Sequence, residues 1–171
     1  MDLQLKGKTA LVTGASMGIG RAIAKALAVE GARLCIAARR KGLLEELARE
    51  ITAAGGQQPA IVEIDMMREG ASQQLAAAAR EALGRIDVLV NSAGGSNPAL
   101  SIDAPEERWE EAMTLNYVRV RQLTHAVLPG MIARGRGAVI NLSSIAAFVP
   151  ARYSGTEDVS EYEEILPSSP P

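Results

Sequence analysis

Short apolar runs alternate with helix-periodic stretches along most of this chain, and each run ends on a small or polar residue. Residues 8–13, 32–38, 59–64, 85–90 and 137–142 read as strands, and 18–30, 42–54, 71–83 and a long stretch from about 105 read as helices. The runs are apolar at consecutive positions, as in strands covered on both faces of a parallel sheet. Gly31, Gly55 and Gly84 stand where the helices should stop. The residues just after the strands are Gly14, Arg39, Asp65, Asn91 and Ser144. In an open α/β sheet, the carboxyl ends of the strands form the ligand crevice.

The first of these turns is the richest. Thr13-Gly14-Ala15-Ser16-Met17-Gly18-Ile19-Gly20 lies between an apolar strand, Thr9 to Val12, and a helix opening at Arg21-Ala22-Ile23. Glycines let the backbone turn tightly and come close to a ligand, and a helix N-terminus offers unpaired N–H groups to an anion. A phosphate suits that place. The spacing is G-x-x-x-G-x-G, not the G-x-G-x-x-G of many dinucleotide folds.

Charge and composition exclude several classes. A formal net charge of −2 gives no basic footprint for nucleic acid or an anionic membrane. No apolar run is long enough to span a bilayer, and the N-terminus lacks a signal-peptide core. The single cysteine, Cys35, has no disulfide partner. A cytoplasmic protein is expected, with no nucleic-acid or membrane partner. The sole histidine, His125, stands on the long helix without a metal-ligand pattern around it, so no metal is expected.

Trp109, Ala112, Met113, Asn116, Val120, Leu123, Val127 and Met131 recur at helical spacing, with Asp103, Pro105 and Glu106 supplying a start signal and Pro129-Gly130 a break. Asn116 sits on that apolar stripe and is expected to be buried. After Pro150 the rhythm stops. Residues 152–171 carry one Arg against five acidic residues, and the sequence ends Pro167-Ser168-Ser169-Pro170-Pro171. Residues 1–150 therefore read as one domain and 151–171 as an acidic, Pro/Ser-rich, disordered tail.

These motifs, in this order, resemble the short-chain dehydrogenase/reductase family from Lys8 to about Pro150. Thr13–Gly20 resembles its TGxxxGIG loop, Asn91-Ser92-Ala93-Gly94 its NAG segment, and Asn141-Leu142-Ser143-Ser144 the strand ending in its serine. The resemblance implies a Rossmann-like, doubly wound parallel α/β sheet, here truncated after the fifth strand. It implies cofactor contacts from Gly14, Ser16, Met17, Gly18, Ile19, Gly20, Arg39, Asp65 (to the adenine ring), Asn91, Ala93 and Gly94. It implies catalytic roles for Ser144 and Asn116. At the end of the second strand, where an acid would favour NAD, stand Ala38, Arg39 and Arg40. Arginine pairs bidentately with phosphate, so NADP is favoured over NAD.

The family's tyrosine and lysine, four residues apart, are missing. Tyr153 precedes Glu157, Tyr162 precedes Leu166, and the last lysine of the sequence is Lys41. Tyr162 is the better candidate for the family tyrosine. Without a neighbouring ammonium its phenol keeps an ordinary pKa of about 10. The missing helix and strands also leave the fifth strand as an open edge, which suggests a truncated or frame-altered product. Two readings remain. One is an NAD(P)(H)-dependent carbonyl reductase or alcohol dehydrogenase, impaired in this chain, acting on a small carbonyl or alcohol. The other is a non-catalytic dinucleotide-binding remnant or interaction protein. A homo-oligomer is expected through the helix around 105–130.

Overall fold

The structure is a computed structural model and describes residues 4–95 and 105–143. Five parallel strands form one sheet: β1 (Thr9–Thr13), β2 (Arg33–Ala38), β3 (Ala60–Glu63), β4 (Val88–Asn91) and β5 (Ala138–Asn141). The spatial order is β3-β2-β1-β4-β5. The chain moves outward from β1 to β3, then returns to lay β4 against the other side of β1. That reversal opens a crevice between the carboxyl ends of β1 and β4.

Helices α1 (Gly18–Val29), α2 (Lys41–Ala53), α3 (Ala71–Leu83) and α5 (Arg119–Ala133) cover the sheet, and α4 (Glu106–Met113), which buries no residue, precedes α5. Side chains of a strand alternate between its faces, and β1 shows the result. Ala10 and Val12 pack with Leu34, Ile36, Leu44 and Leu47 under α1 and α2. Leu11 packs with Leu75, Ala79, Leu89, Leu123 and Val127 under α3 and α5. Both faces are dry, which is why β1 reads as an unbroken apolar run. Cys35 belongs to the second core; burial pushes its thiol pKa up to about 12, so it is no nucleophile.

Opposite the crevice, the amino ends of three strands are knotted by Asp87. Its Oδ2 accepts from Thr9 N at 3.1 Å and Thr9 Oγ1 at 3.2 Å, and Arg85 Nε sits 3.0 Å from both carboxylate oxygens. The Asp87 carbonyl accepts from Ala138 N at 2.9 Å, tying in β5. Burial opposes ionisation of Asp87, but the Arg85 and Thr9 hydrogen bonds and the Arg85 charge outweigh it and hold the pKa below its ordinary value.

The long helix is not one helix. α4 and α5 are joined by a π-helical turn, Thr114–Val118, and α5 continues through Pro129 to Ala133. The periodic stripe holds only in the second half: Leu123, Val127 and Met131 are buried, whereas Trp109 and Met113 are exposed. The wider turn breaks the 3.6-residue phase on which the stripe was drawn. The helix start signal at Asp103 lies outside the described residues. Among the described residues β5 is the last strand of the sheet on its side, with Ile140 45% exposed.

Candidate functional site

A cleft of about 670 Å3 lies over the carboxyl ends of β1, β2 and β4. Its floor is made where the chain reverses. Thr13 Oγ1 donates to Val90 O at 3.3 Å and accepts from Ser92 N at 3.0 Å and Ala93 N at 2.9 Å. One hydroxyl thus fixes the end of β1 to the end of β4. Gly14 follows with φ of +66°, and a Cβ there would lie 2.6 Å from Ser92 O and 2.8 Å from Ala93 N. At Gly20 a Cβ would meet Gly14 O at 2.5 Å. Both glycines are required by close backbone approach, and Gly14 also by its left-handed backbone.

The glycine loop opens α1 without filling its end. Met17 is the N-cap and makes no side-chain capping bond, and the first turn holds no acidic residue. The first N–H groups of the helix therefore face the cleft with no side chain on them, beside the positive end of the dipole. A cradle that a Cβ would fill, floored by an uncapped helix end, fits a dinucleotide pyrophosphate.

The second wall is the β2–α2 corner. Arg39 and Arg40 are both exposed and line the cleft, and Arg40 Nη2 meets Met17 Sδ across it. Arg39 forms none of the ion pairs found among the described residues. Arg21 holds this wall in place: Nη1 donates to Leu43 O at 3.2 Å, and Nη2 pairs with Glu46 at 2.8 Å and Glu50 at 2.9 Å.

Asp65 lies in the turn just after β3. Its Oδ1 accepts from Met67 N at 3.0 Å, leaving Oδ2 for the cleft. On the far side stands Asn116, in the π-helical turn. It is exposed, not buried as its place on the stripe predicts, because the turn rotates it out of the α5 packing face. Its amide is nevertheless paired: Oδ1 accepts from Gly95 N at 3.0 Å and Nδ2 donates to Gly95 O at 2.8 Å. π-turns are rare and concentrate at functional sites.

A second cavity of about 580 Å3 adjoins the first and shares Ser92, Ala93, Gly94, Asn116, Leu142 and Ser143 with it. Asn91 faces this second space. It is buried, and its Nδ2 donates to Asn141 Oδ1 at 2.8 Å and Thr124 Oγ1 at 3.1 Å, joining β4, β5 and α5. Arg121 and His125 line the outer wall.

The structure thus gathers Gly14, Ser16, Met17, Ile19, Gly20, Arg39, Asp65, Ala93, Gly94 and Asn116 around one cleft. Gly18 lies off its lining, at the start of α1 with φ of +56°, and Asn91 lines only the adjoining cavity. Ser144, Tyr153 and Tyr162 lie outside the described residues. Thr13 and Ser92 stand inside the quoted motifs without a role of their own, and Arg119 in none, yet all three hold the site together. The one available signal was a hydroxyl at the ends of both neighbouring strands. Among the described residues no group of three His, Cys, Asp or Glu could hold a metal ion, and no helix is long and apolar enough to cross a membrane.

Order 3-2-1-4-5, a glycine cradle at the reversal and basic side chains beyond the second strand define a doubly wound dinucleotide-binding fold. Within that class the chain belongs to the short chain dehydrogenase family, whose model matches residues 8–155. A short chain dehydrogenase of Pseudocercospora fijiensis is 39% identical over 170 residues, covering 95% of this chain and 55% of that protein. The chain thus spans about half the length of that curated relative. L-sorbose reductase from Gluconobacter frateurii, solved with NADPH and L-sorbose, is 35% identical with a TM-score of 0.84, over 90% of this chain and 58% of that one. 7α-hydroxysteroid dehydrogenase, solved with NADH and 7-oxo glycochenodeoxycholic acid, is 34% identical with a TM-score of 0.82, over 86% and 57%.

Proposed function

We propose that this chain binds a nicotinamide dinucleotide in the β1–β4 cleft, with NADP(H) preferred, and that it descends from carbonyl reductases or alcohol dehydrogenases. The observation that carries the reading is the cradle at Gly14 and Gly20, closed to any side chain and open to the uncapped end of α1. Gly14 to Gly20 hold the pyrophosphate, Arg39 and Arg40 the 2′-phosphate, and Asp65 the adenine. When bound, the cofactor supplies or accepts hydride.

Asn116 pins Gly95 and so shapes the passage between the two cavities, where a small carbonyl or alcohol would lie. Ser144 is placed by sequence to hydrogen-bond the substrate oxygen. The proton donor is the weak point: neither tyrosine after Ser144 has a lysine four residues on. A tyrosine without an ammonium beside it is a poor acid–base group near neutral pH. Binding with poor turnover is therefore expected, which a non-catalytic dinucleotide-binding protein would share.

Fluorescence titration with NADPH and NADH tests the binding. Saturable binding is expected, tighter for NADPH. Arg39→Ala should weaken NADPH about tenfold and leave NADH within about twofold, because only the phosphate contact is charge-assisted. Equal losses would remove the 2′-phosphate assignment, and no saturable binding of either would remove the whole reading. Turnover of ketones with NADPH at rates ordinary for a reductase would show that the missing lysine does not matter.

The outer face of α4 and α5 suits self-association. Trp109, Met113 and Tyr117 on the α4 side, and Leu128 and Ile132 on α5, are exposed at four-residue spacing. Monomers seldom leave such a surface wet. Sedimentation velocity should show a homo-oligomer that Ile132→Glu dissociates; a monomeric parent chain at tens of micromolar (a concentration at which modest interfaces associate) would exclude it.

A further inference from the structure

We propose that Arg119 is a positioning residue that ties the adenine side of the cleft to the helix bearing Asn116. The inference rests on the dinucleotide reading above, in which Asp65 meets the adenine.

Asp65 opens a tight turn. Its backbone oxygen accepts from Arg68 N at 3.1 Å, and its Oδ1 accepts from Met67 N at 3.0 Å. Those two bonds close the turn from within. The carbonyls of the middle residues, Met66 and Met67, have no partner inside a four-residue turn. Met66 is buried, and a backbone carbonyl in such a place needs a donor.

Arg119 serves both. Its Nε donates to Met66 O at 2.9 Å and its Nη2 to Met67 O at 3.1 Å. Nη1 donates to Gln122 Oε1 at 2.8 Å, which holds the fork from behind. The Arg119 carbonyl accepts from Ser72 Oγ at 3.0 Å, fixing its backbone to the first turn of α3. A planar guanidinium can meet two successive carbonyls at once, which a lysine ammonium on a flexible stem does poorly. Arg119 follows directly on the π-helical turn, three residues after Asn116, and forms none of the ion pairs found among the described residues. The tie therefore sets the height of the Asp65 turn relative to the Asn116–Gly95 contact.

Both nicotinamide dinucleotides carry the same adenine, so losing the tie weakens both alike, unlike losing Arg39. Arg119→Met keeps the aliphatic stem and removes the donors. In fluorescence titrations of the full chain it should raise the Kd of NADPH and of NADH about tenfold, the scale of two lost hydrogen bonds, with their ratio unchanged. Arg119→Lys, which can still meet one carbonyl, should recover about a third of that loss. Ser72→Ala cuts a bond between the same two elements without touching the turn. It should lower the thermal midpoint and leave both affinities within about twofold. If Arg119→Met weakens binding no more than Ser72→Ala does, or shifts the NADPH:NADH ratio, the proposal is overturned. Asp65→Ala separates the two levels. If it weakens both dinucleotides and Arg119→Met does not, only the tie is wrong. If Asp65→Ala changes neither, the adenine placement falls and the tie with it.

Discussion

Gly14→Ala should abolish dinucleotide binding and destabilise the fold by about 2–5 kcal/mol, the sum of two independent costs. The first is conformational. Gly14 has φ of +66°, a left-handed backbone that costs an L-residue about 1–2 kcal/mol. The second is steric. The added methyl would lie 2.6 Å from Ser92 O and 2.8 Å from Ala93 N, both backbone atoms that cannot swing aside. Forcing a methyl into such a gap costs about 1–3 kcal/mol more. Relief requires β1 and β4 to part, and the Thr13 hydroxyl would then lose its hold on Ser92 and Ala93. Gly18→Ala is the control: its φ is also positive, at +56°, but the space beside it is open. It should cost only the conformational share, about 1–2 kcal/mol. Urea midpoints of the two variants, with NADPH titration of each, check the difference. Similar midpoints for both would show that the approach of Ser92 is not the constraint.

Asp87→Ala should cost about 2–4 kcal/mol without touching the cleft, because the damage is at the opposite, amino end of the strands. It leaves Thr9 N and Thr9 Oγ1 without their acceptor in a buried place, and strips Arg85 of its partner. Arg85 is partly exposed, which keeps the figure below that of a fully buried pair. The sign of the pH effect follows from the lowered pKa. In the window below about pH 5 the unfolded chain, with an ordinary aspartate pKa of about 3.9, binds the proton more readily than the folded one. The contribution of Asp87 is therefore full at neutral pH and is lost as pH falls through the folded-state value. Thermal midpoints from pH 7 down to 3 should converge for the parent chain and Asp87→Asn. Parallel curves would mean that the carboxylate titrates normally.

Much of this architecture could be read from the residues. Each buried strand is a short apolar run because both its faces are covered, and the turns after β1, β2 and β4 carry the glycines and arginines that form the cleft. The same pattern makes the sheet parallel and puts Asp65 just after the third strand, but it carries no strand order. What escaped was set by contacts between distant segments. Thr13 looks like any strand residue until β4 brings Ser92 beside it. Arg119 looks like a solvated helix arginine until its fork is seen to serve the carbonyls of Met66 and Met67. Asn116 was placed inward by a 3.6-residue period, and one π-helical turn was enough to bring it out to the cleft. A local pattern cannot register a turn that widens to suit a neighbour.

The reversal of the sheet also governs when a binding site can exist during folding. The contact from Ser92 N to Thr13 Oγ1 closes a loop of 79 residues. A nascent chain that has made only β1, β2 and β3 already holds the glycine loop and both arginines, yet one side of the cradle is missing. Dinucleotide can reward folding only after β4 has slotted beside β1, so the ligand acts late in assembly and cannot template its start. Non-local pairing of this kind makes formation slow, and until β4 arrives the flank of β1 stands as an unpaired edge.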